Sequence, residues 1–165
     1  MDVKELLRRA YQHAMKHATD PSTQNGALII NDQGEILAHG ANHFPRGVQE
    51  KPERWERPAK YQYVEHAERG AIYDAAREGV RTSGKIMVCP WFACTDCARA
   101  IIEARIMLVI GHQSPNDWTP EHWKESIKVA WDMLREANVA LKWYEGKISD
   151  DNSIAIRFNG GIVHP

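Results

Sequence analysis

Cysteine is scarce in this chain, with three residues in 165. The count is odd and two of the three form a C-x-x-C pair (Cys94 and Cys97), which argues against a disulfide framework. The sequence also lacks any apolar run long enough to span a bilayer. Its charged start, Met1-Asp2-Val3-Lys4-Glu5, has no apolar core of signal-peptide type. No membrane partner is expected, and a cytoplasmic location is the default expectation. Charge of one sign is lacking too: 21 Lys and Arg face 22 Asp and Glu, for a net charge of −1. Such a balance exerts no general pull toward nucleic acid, so none is expected as a partner. There is no internal repeat and no low-complexity tract.

What is present is an ordinary globular composition, 43% hydrophobic and 26% charged. The length fits a single domain over residues 1–165 with a real core. Residues 144–165 form a C-terminal extension whose structure the pattern leaves open.

Residues 2–18 carry Leu6, Leu7, Ala10, Tyr11, Ala14 and Met15 at spacings of three and four, the period of a helix. Asp20-Pro21-Ser22 stops it. Ala27–Ile30 and Ile36–Ala38, about a turn at Asp32-Gln33-Gly34, predict a hairpin. Residues 43–64 show neither period and contain Pro45, Pro52 and Pro58, which argue against continuous helix. Their aromatic residues (Phe44, Trp55, Tyr61, Tyr63) predict order all the same. Helices are predicted over 66–78, 95–104 and 120–138, and short buried strands over 86–89, 106–110 and 139–143. In the tail, Ile154–Ile156 is a strand candidate and Asn159-Gly160-Gly161 a turn. Helices alternating with apolar strands predict an α/β sandwich about a mixed sheet, the first pair antiparallel and the later strands parallel.

Two stretches carry chemistry: His66-Ala67-Glu68 and Cys94-Thr95-Asp96-Cys97. Imidazole nitrogen and thiolate sulfur suit zinc, a borderline-soft ion. Three protein ligands leave a fourth position for water, the arrangement of catalytic rather than structural zinc. Cys94 and Cys97, three apart at a helix start, share a face and meet the positive end of the helix dipole. His66 and Glu68, two apart, converge only on an object beyond the helix end. The spacing therefore predicts two helix N-termini aimed at one point, with Glu68 beside it as acid and base. A redox pair would explain C-x-x-C without needing H-A-E. A structural zinc ribbon would require a second ligand pair, which is absent. A zinc-stabilised binding module without catalysis would need a fourth ligand, and Cys89 is the only further thiol.

These residues resemble the zinc-dependent cytidine deaminase superfamily, whose signature is H-x-E…P-C-x-x-C. Within it the sequence is most similar to deoxycytidylate (dCMP) deaminases, over roughly residues 1–140. Asp20-Pro21-Ser22-Thr23-Gln24-Asn25-Gly26-Ala27 is similar to their D-P-S-T-Q-V-G-A segment, and Gly40–Val48 to their G-Y-N-G-F-P-R-G-V segment. The resemblance implies a three-layer α/β/α cytidine-deaminase-like sandwich around a five-stranded mixed sheet. It implies zinc on His66, Cys94 and Cys97, with Glu68 as the proton shuttle. It implies that Asn42, Asn25, Gln24, Arg46 and Ala67 face a small-molecule nucleotide, and that the protein is a homo-oligomer. The implied reaction is attack of zinc-bound hydroxide on C4 of cytosine with loss of ammonia. Three positions depart from the pattern. Ala93 replaces the proline before the first Cys, Gly70 replaces a polar residue, and Asn25 replaces a valine. These departures leave zinc hydrolysis intact but keep open another aminated ring: a modified cytosine, guanine, a free nucleoside or adenosine in tRNA.

Overall fold

The computed structural model describes residues 1–165. Its first helix, α1 (Val3–His17), is capped by Asp2, whose carboxylate accepts from the Glu5 N–H at 3.2 Å. Leu6, Leu7, Ala10, Tyr11 and Ala14 form its buried stripe. The hairpin follows as β1 (Gly26–Ile30) and β2 (Ile36–Ala41), antiparallel, with Gly26 opposite Ala41. α3 (Ala67–Arg77), preceded by the single helical turn α2 (Lys60–Tyr63), leads to β3 (Ile86–Val88). Then come α4 (Thr95–Glu103), β4 (Leu108–His112), α5 (Gln113–Asp117), α6 (Glu121–Glu136) and β5 (Ala140–Tyr144).

The sheet has the order β2-β1-β3-β4-β5. β3 is antiparallel to β1, whereas β3–β4 and β4–β5 are parallel, each pair joined through helices as the sequence predicts. Side chains alternate between the two faces. Leu28, Ile30, Val88 and Ile110 meet α1, while Ala27, Ile29, Met87 and Val109 meet α3, α4 and α6. The result is the expected α/β/α sandwich on a five-stranded mixed sheet.

Two strands begin later than their apolar runs. β4 starts at Leu108 rather than Ile106, and β5 at Ala140 rather than Val139. The reason lies in how the preceding helices end. Arg105 (φ 55°) and Asn138 (φ 58°) are left-handed, and the next N–H groups reach back: Ile106 to the Ile101 carbonyl at 3.2 Å, Val139 to that of Leu134 at 2.9 Å. These are Schellman closures, in which the residue after the left-handed position packs onto the helix. Ile106 and Val139 are buried as helix stops, not as strand residues. Gly79 (φ 68°) ends α3 in the same way.

Residues 43–64 are ordered, as the aromatic content predicts. They contain a short 3-10 turn at Pro52–Arg54, and Phe44 is buried with its ring 4.0 Å from Trp55 and 5.6 Å from Tyr63. α5 has no counterpart in the sequence reading. In the tail, the strand starts only at the last residue of the Ile154–Ile156 candidate: β6 (Ile156–Phe158) turns through Asn159 and Gly160 into β7 (Gly161–Val163). Ile148, Ile154 and Ile156 are buried against the α1 side of the sheet. No helix is long and apolar enough to cross a membrane.

Candidate active site at two helix N-termini

His66 is the N-cap residue of α3 and Cys94 that of α4, both extended (φ −80°, ψ 151° and φ −74°, ψ 175°). N-cap side chains ordinarily bond the first free N–H groups of their own helix. Neither does so here. Both instead turn toward a common point beyond the helix ends, where Cys97, third residue of α4, joins them. His66 Nδ1 stands 3.5 Å from Cys94 Sγ and 3.6 Å from Cys97 Sγ. The three ligand atoms lie within 4.8 Å of one another. Bond lengths of about 2.3 Å to sulfur and about 2.0–2.1 Å to nitrogen, at tetrahedral angles, put N and S roughly 3.6 Å apart. The donor set therefore fits one zinc ion in both spacing and chemistry.

The electrostatics point the same way. Cys94 is driven down to about 3, first by its hydrogen bond with Cys97 and then by His66, against the cost of burial. Cys97 is pushed well above its ordinary value by that same bond and by burial. Two thiols so close share the first negative charge readily and resist the second, which a divalent cation would accommodate. Burial works to lower His66, but the hydrogen bond and charge of Cys94, with Glu68, outweigh it and raise it. Glu68, second residue of α3 and 3% exposed, is raised chiefly by burial, with Cys94 adding to the rise and His66 opposing it.

Glu68, His66 and Cys94 line a cavity of about 310 Å³, counting the solvent at its mouth. Its other walls are Asn25, Asn42, Trp91, Phe92, Trp123 and Ile127. Trp91 donates through Nε1 to Thr119 Oγ1 at 3.0 Å and meets Trp123 edge-on at 6.0 Å. The loop before Cys94 is held by side chains: the Trp91 N–H donates to Asn25 Oδ1 (3.4 Å), and the Phe92 N–H to Asn116 Oδ1 (3.0 Å). These bonds tether the two residues that precede Ala93.

The remaining residues expected near a nucleotide are distributed unevenly. Asn25 and Asn42 reach the cavity. Asn25 also donates to Cys89 Sγ at 3.2 Å. Asn42 is already engaged at both ends, donating to the Thr23 carbonyl and accepting from the Ala67 N–H, each at 3.0 Å. Ala67 is fully buried beneath it. Gln24 does not line the cavity; its Oε1 accepts from the Arg157 N–H at 2.9 Å. Arg46 is exposed and lines a different cleft, with His13, His39 and Asp74. Lys60, one of the cations of the 43–64 segment, is buried against Asp20 at 2.7 Å. Cys89 is buried beside Asn25 and Trp91 and is not part of the three-ligand group, so no fourth thiol closes the site.

Trp123 and Ile127 were not legible as site residues. On α6 they sit in the apolar stripe that reads as core, and no local signal separates a residue lining a cavity from one filling it.

Residues 1–113 match the family model described as the cytidine and deoxycytidylate deaminase zinc-binding region. A relative from Aliivibrio fischeri, described as an uncharacterized deaminase in the luxG 3' region, is 36% identical over 124 residues, 75% of this chain and 81% of the relative. The deoxycytidylate deaminase of Homo sapiens is 37% identical over 101 residues, 58% of this chain and 56% of that protein, so the match spans little more than half of it. Among solved structures, the dCMP deaminase of cyanophage S-TIM5 in apo form superposes with a TM-score of 0.66 at 22% identity, covering 87% of this chain and 100% of that one. The same enzyme in complex with dCMP and dUMP superposes with a TM-score of 0.65, covering 85% and 94%. At this identity the superpositions speak for the fold.

Proposed function

The chain belongs to the cytidine and deoxycytidylate deaminase family, and from that premise we propose that it hydrolyses the amino group of a cytosine nucleotide, dCMP to dUMP and ammonia. One observation carries the proposal: the three ligand atoms converge on one point, and two of their residues, His66 and Cys94, line a single cavity together with buried Glu68. His66, Cys94 and Cys97 would hold zinc, which when bound supplies a Lewis acid that brings the pKa of water down to about 7.

The chain's own residues account for the rest. Burial keeps the Glu68 carboxyl more basic than an ordinary glutamate, as a group that must take a proton and return it requires. In this role the carboxylate takes one proton from the attacking water and gives it to the ring nitrogen. It then takes the second from the hydroxyl left on C4 and gives it to the amine, which departs as ammonia as the C4 carbonyl forms. The α3 and α4 N-termini favour negative charge at the same point. Trp91, Trp123 and Ile127 exclude bulk water and offer faces and edges for a planar ring. Residues 1–165 act in this reading as one deaminase domain, a homo-oligomer of the cytoplasm; light scattering in solution checks the assembly.

The decisive experiment is an ammonia-release panel over dCMP, CMP, deoxycytidine, dCTP, 5-substituted dCMP, and guanine and adenine nucleotides. Release from dCMP above the others is expected. No release from any cytosine compound would overturn the substrate assignment. Glu68→Gln is expected to keep about one zinc per chain and to lose about 10²–10⁴ in turnover. A Glu68→Gln protein with unchanged turnover would remove Glu68 from the mechanism.

A further inference from the structure

The C-terminal hairpin lies outside the segment that matches the family model, yet it is tied to the rim of the cavity. The Gln24 N–H donates to the Arg157 carbonyl at 2.8 Å, and the Arg157 N–H returns to Gln24 Oε1 at 2.9 Å. The Gly160 N–H donates to the Ser22 carbonyl at 2.8 Å, and the Asn159 N–H to Thr23 Oγ1 at 3.3 Å. From the other side, the Phe158 ring packs 5.0 Å from that of Trp91, a wall of the cavity. The turn is made possible by Asn159 and Gly160, both left-handed (φ 50° and 85°).

This latch brings a third element into place. Arg57 Nη2 donates to Asn159 Oδ1 at 3.2 Å and to Ser22 Oγ at 3.4 Å. Both partners are neutral, so they orient the guanidinium without cancelling its charge. Neither Arg57 nor Arg157 takes part in any ion pair of the molecule. Arg57 keeps most of its five N–H donors free, in the fork that suits two phosphate oxygens at once. Ser22 is three residues from Asn25, a cavity wall, and three residues of extended chain reach at most about 11 Å. The oriented cation is thus anchored on the segment that also supplies Asn25 to the pocket wall.

We propose that Arg57, Ser22 and the Arg157–Gly160 turn form the subsite for the phosphate ester of the nucleotide substrate. The C-terminal hairpin then holds one wall of the substrate site. The inference rests on the proposed deamination of a cytosine nucleotide but makes a separate demand: the site recognises a phosphate monoester through Arg57, whatever the ring.

The test compares dCMP with deoxycytidine in the full-length protein and in Arg57→Ala, Arg57→Lys and Asn159→Ala. Removing a charge-assisted contact is expected to raise KM for dCMP by about tenfold to a hundredfold, with kcat little changed. KM for deoxycytidine should not move. Arg57→Lys should fall between, since a point charge keeps attraction but not the fork, and Asn159→Ala should shift KM for dCMP in the same direction by less. An unchanged KM for dCMP in Arg57→Ala, or an equal rise for deoxycytidine, would overturn the subsite. Calorimetry with inorganic phosphate provides the second arm. If no cytosine compound is deaminated, the function reading fails, yet phosphate binding abolished by Arg57→Ala still supports the subsite. Phosphate binding that is absent from the unmodified protein, or equal in Arg57→Ala, overturns it independently of turnover.

Discussion

The side-chain oxygen of Asn42, just past β2, accepts a hydrogen bond at 3.0 Å from the backbone N–H of Ala67, the first residue of α3. His66 sits at the N-cap but leaves the capping role vacant because its ring faces the two sulfurs. Asn42 supplies an acceptor for the first free N–H of the helix, so the start of α3 is held while the His66 ring stays turned to the sulfurs.

Asn42→Ala is therefore expected to destabilise the fold by about 1 kcal/mol, the usual worth of an N-cap, and to weaken zinc retention by loosening the start of α3. Urea midpoints and a competition titration with a chelator measure the two effects. A stability change without any change in metal retention would separate the cap from the site.

β2 and α3 touch backbone to backbone. A Cβ on Gly40 would lie 2.2 Å from the Ala67 carbonyl oxygen and 2.4 Å from the Ala71 nitrogen, neither of which can move aside. On Gly70 the nearest atom would be 3.5 Å away, an ordinary contact. Gly40→Ala should shift α3 bodily, costing about 1–3 kcal/mol as overpacking does, and should lower metal affinity. Gly70→Ala should be neutral or stabilising by about 0.5–1 kcal/mol, since alanine favours helix over glycine. Denaturant melts of the two variants decide the contrast.

Lys60 and Asp20 are 5% and 2% exposed, and the Asp20 carboxylate also accepts from the N–H groups of Ser22 (2.8 Å) and Thr23 (3.1 Å). The pair pins the loop before β1 to the 43–64 segment. Lys60→Met leaves a buried carboxylate without its cation and is expected to cost about 3–5 kcal/mol. The double variant Lys60→Met with Asp20→Asn should recover part of that loss, measured as a double-mutant cycle.

Arg105 closes α4 in the left-handed region, where a Cβ is unfavourable. Arg105→Gly is expected to stabilise the protein by about 1 kcal/mol, read as a rise in the thermal midpoint. A fall would mean that the Arg105 side chain contributes more than its backbone costs.

His13 of α1 is lowered to about 4, first by burial and then by the neighbouring His39 and His17; Lys16 adds to the fall and Asp74 opposes it. Its ring lies 4.5 Å from each of the other two imidazoles. Between its ordinary value of 6.5 and about 4, the unfolded chain binds a proton here that the folded chain refuses. Stability should accordingly fall as pH drops through that window. His13→Gln should flatten the dependence, seen by comparing urea midpoints at neutral and mildly acidic pH. An unaltered slope would assign the pH dependence to other groups.

Much of this molecule is readable from local pattern. The spacing of Leu6, Leu7, Ala10, Tyr11 and Ala14 defines α1, and the run Ala27–Ile30 defines a strand buried on both faces. The three-residue spacing of Cys94 and Cys97, and the two-residue spacing of His66 and Glu68, already demand two helix starts aimed at one point. These features are legible because helical and strand periods, and the geometry of a helix end, act within a few residues.

The sequence by itself determined the ligand types, the order of helices and strands, and the chemistry that a zinc ion with a neighbouring carboxylate would support. Only the tertiary structure decided which polar groups remain free for a substrate. It fixes Asn42 on the cavity wall through the Thr23 carbonyl and the Ala67 N–H, buries Lys60 on Asp20, turns Arg46 into another cleft, and brings Asn159 of the tail to Arg57. The partner of a polar side chain distant in sequence is set by how whole elements pack, and no residue's immediate neighbours carry that information.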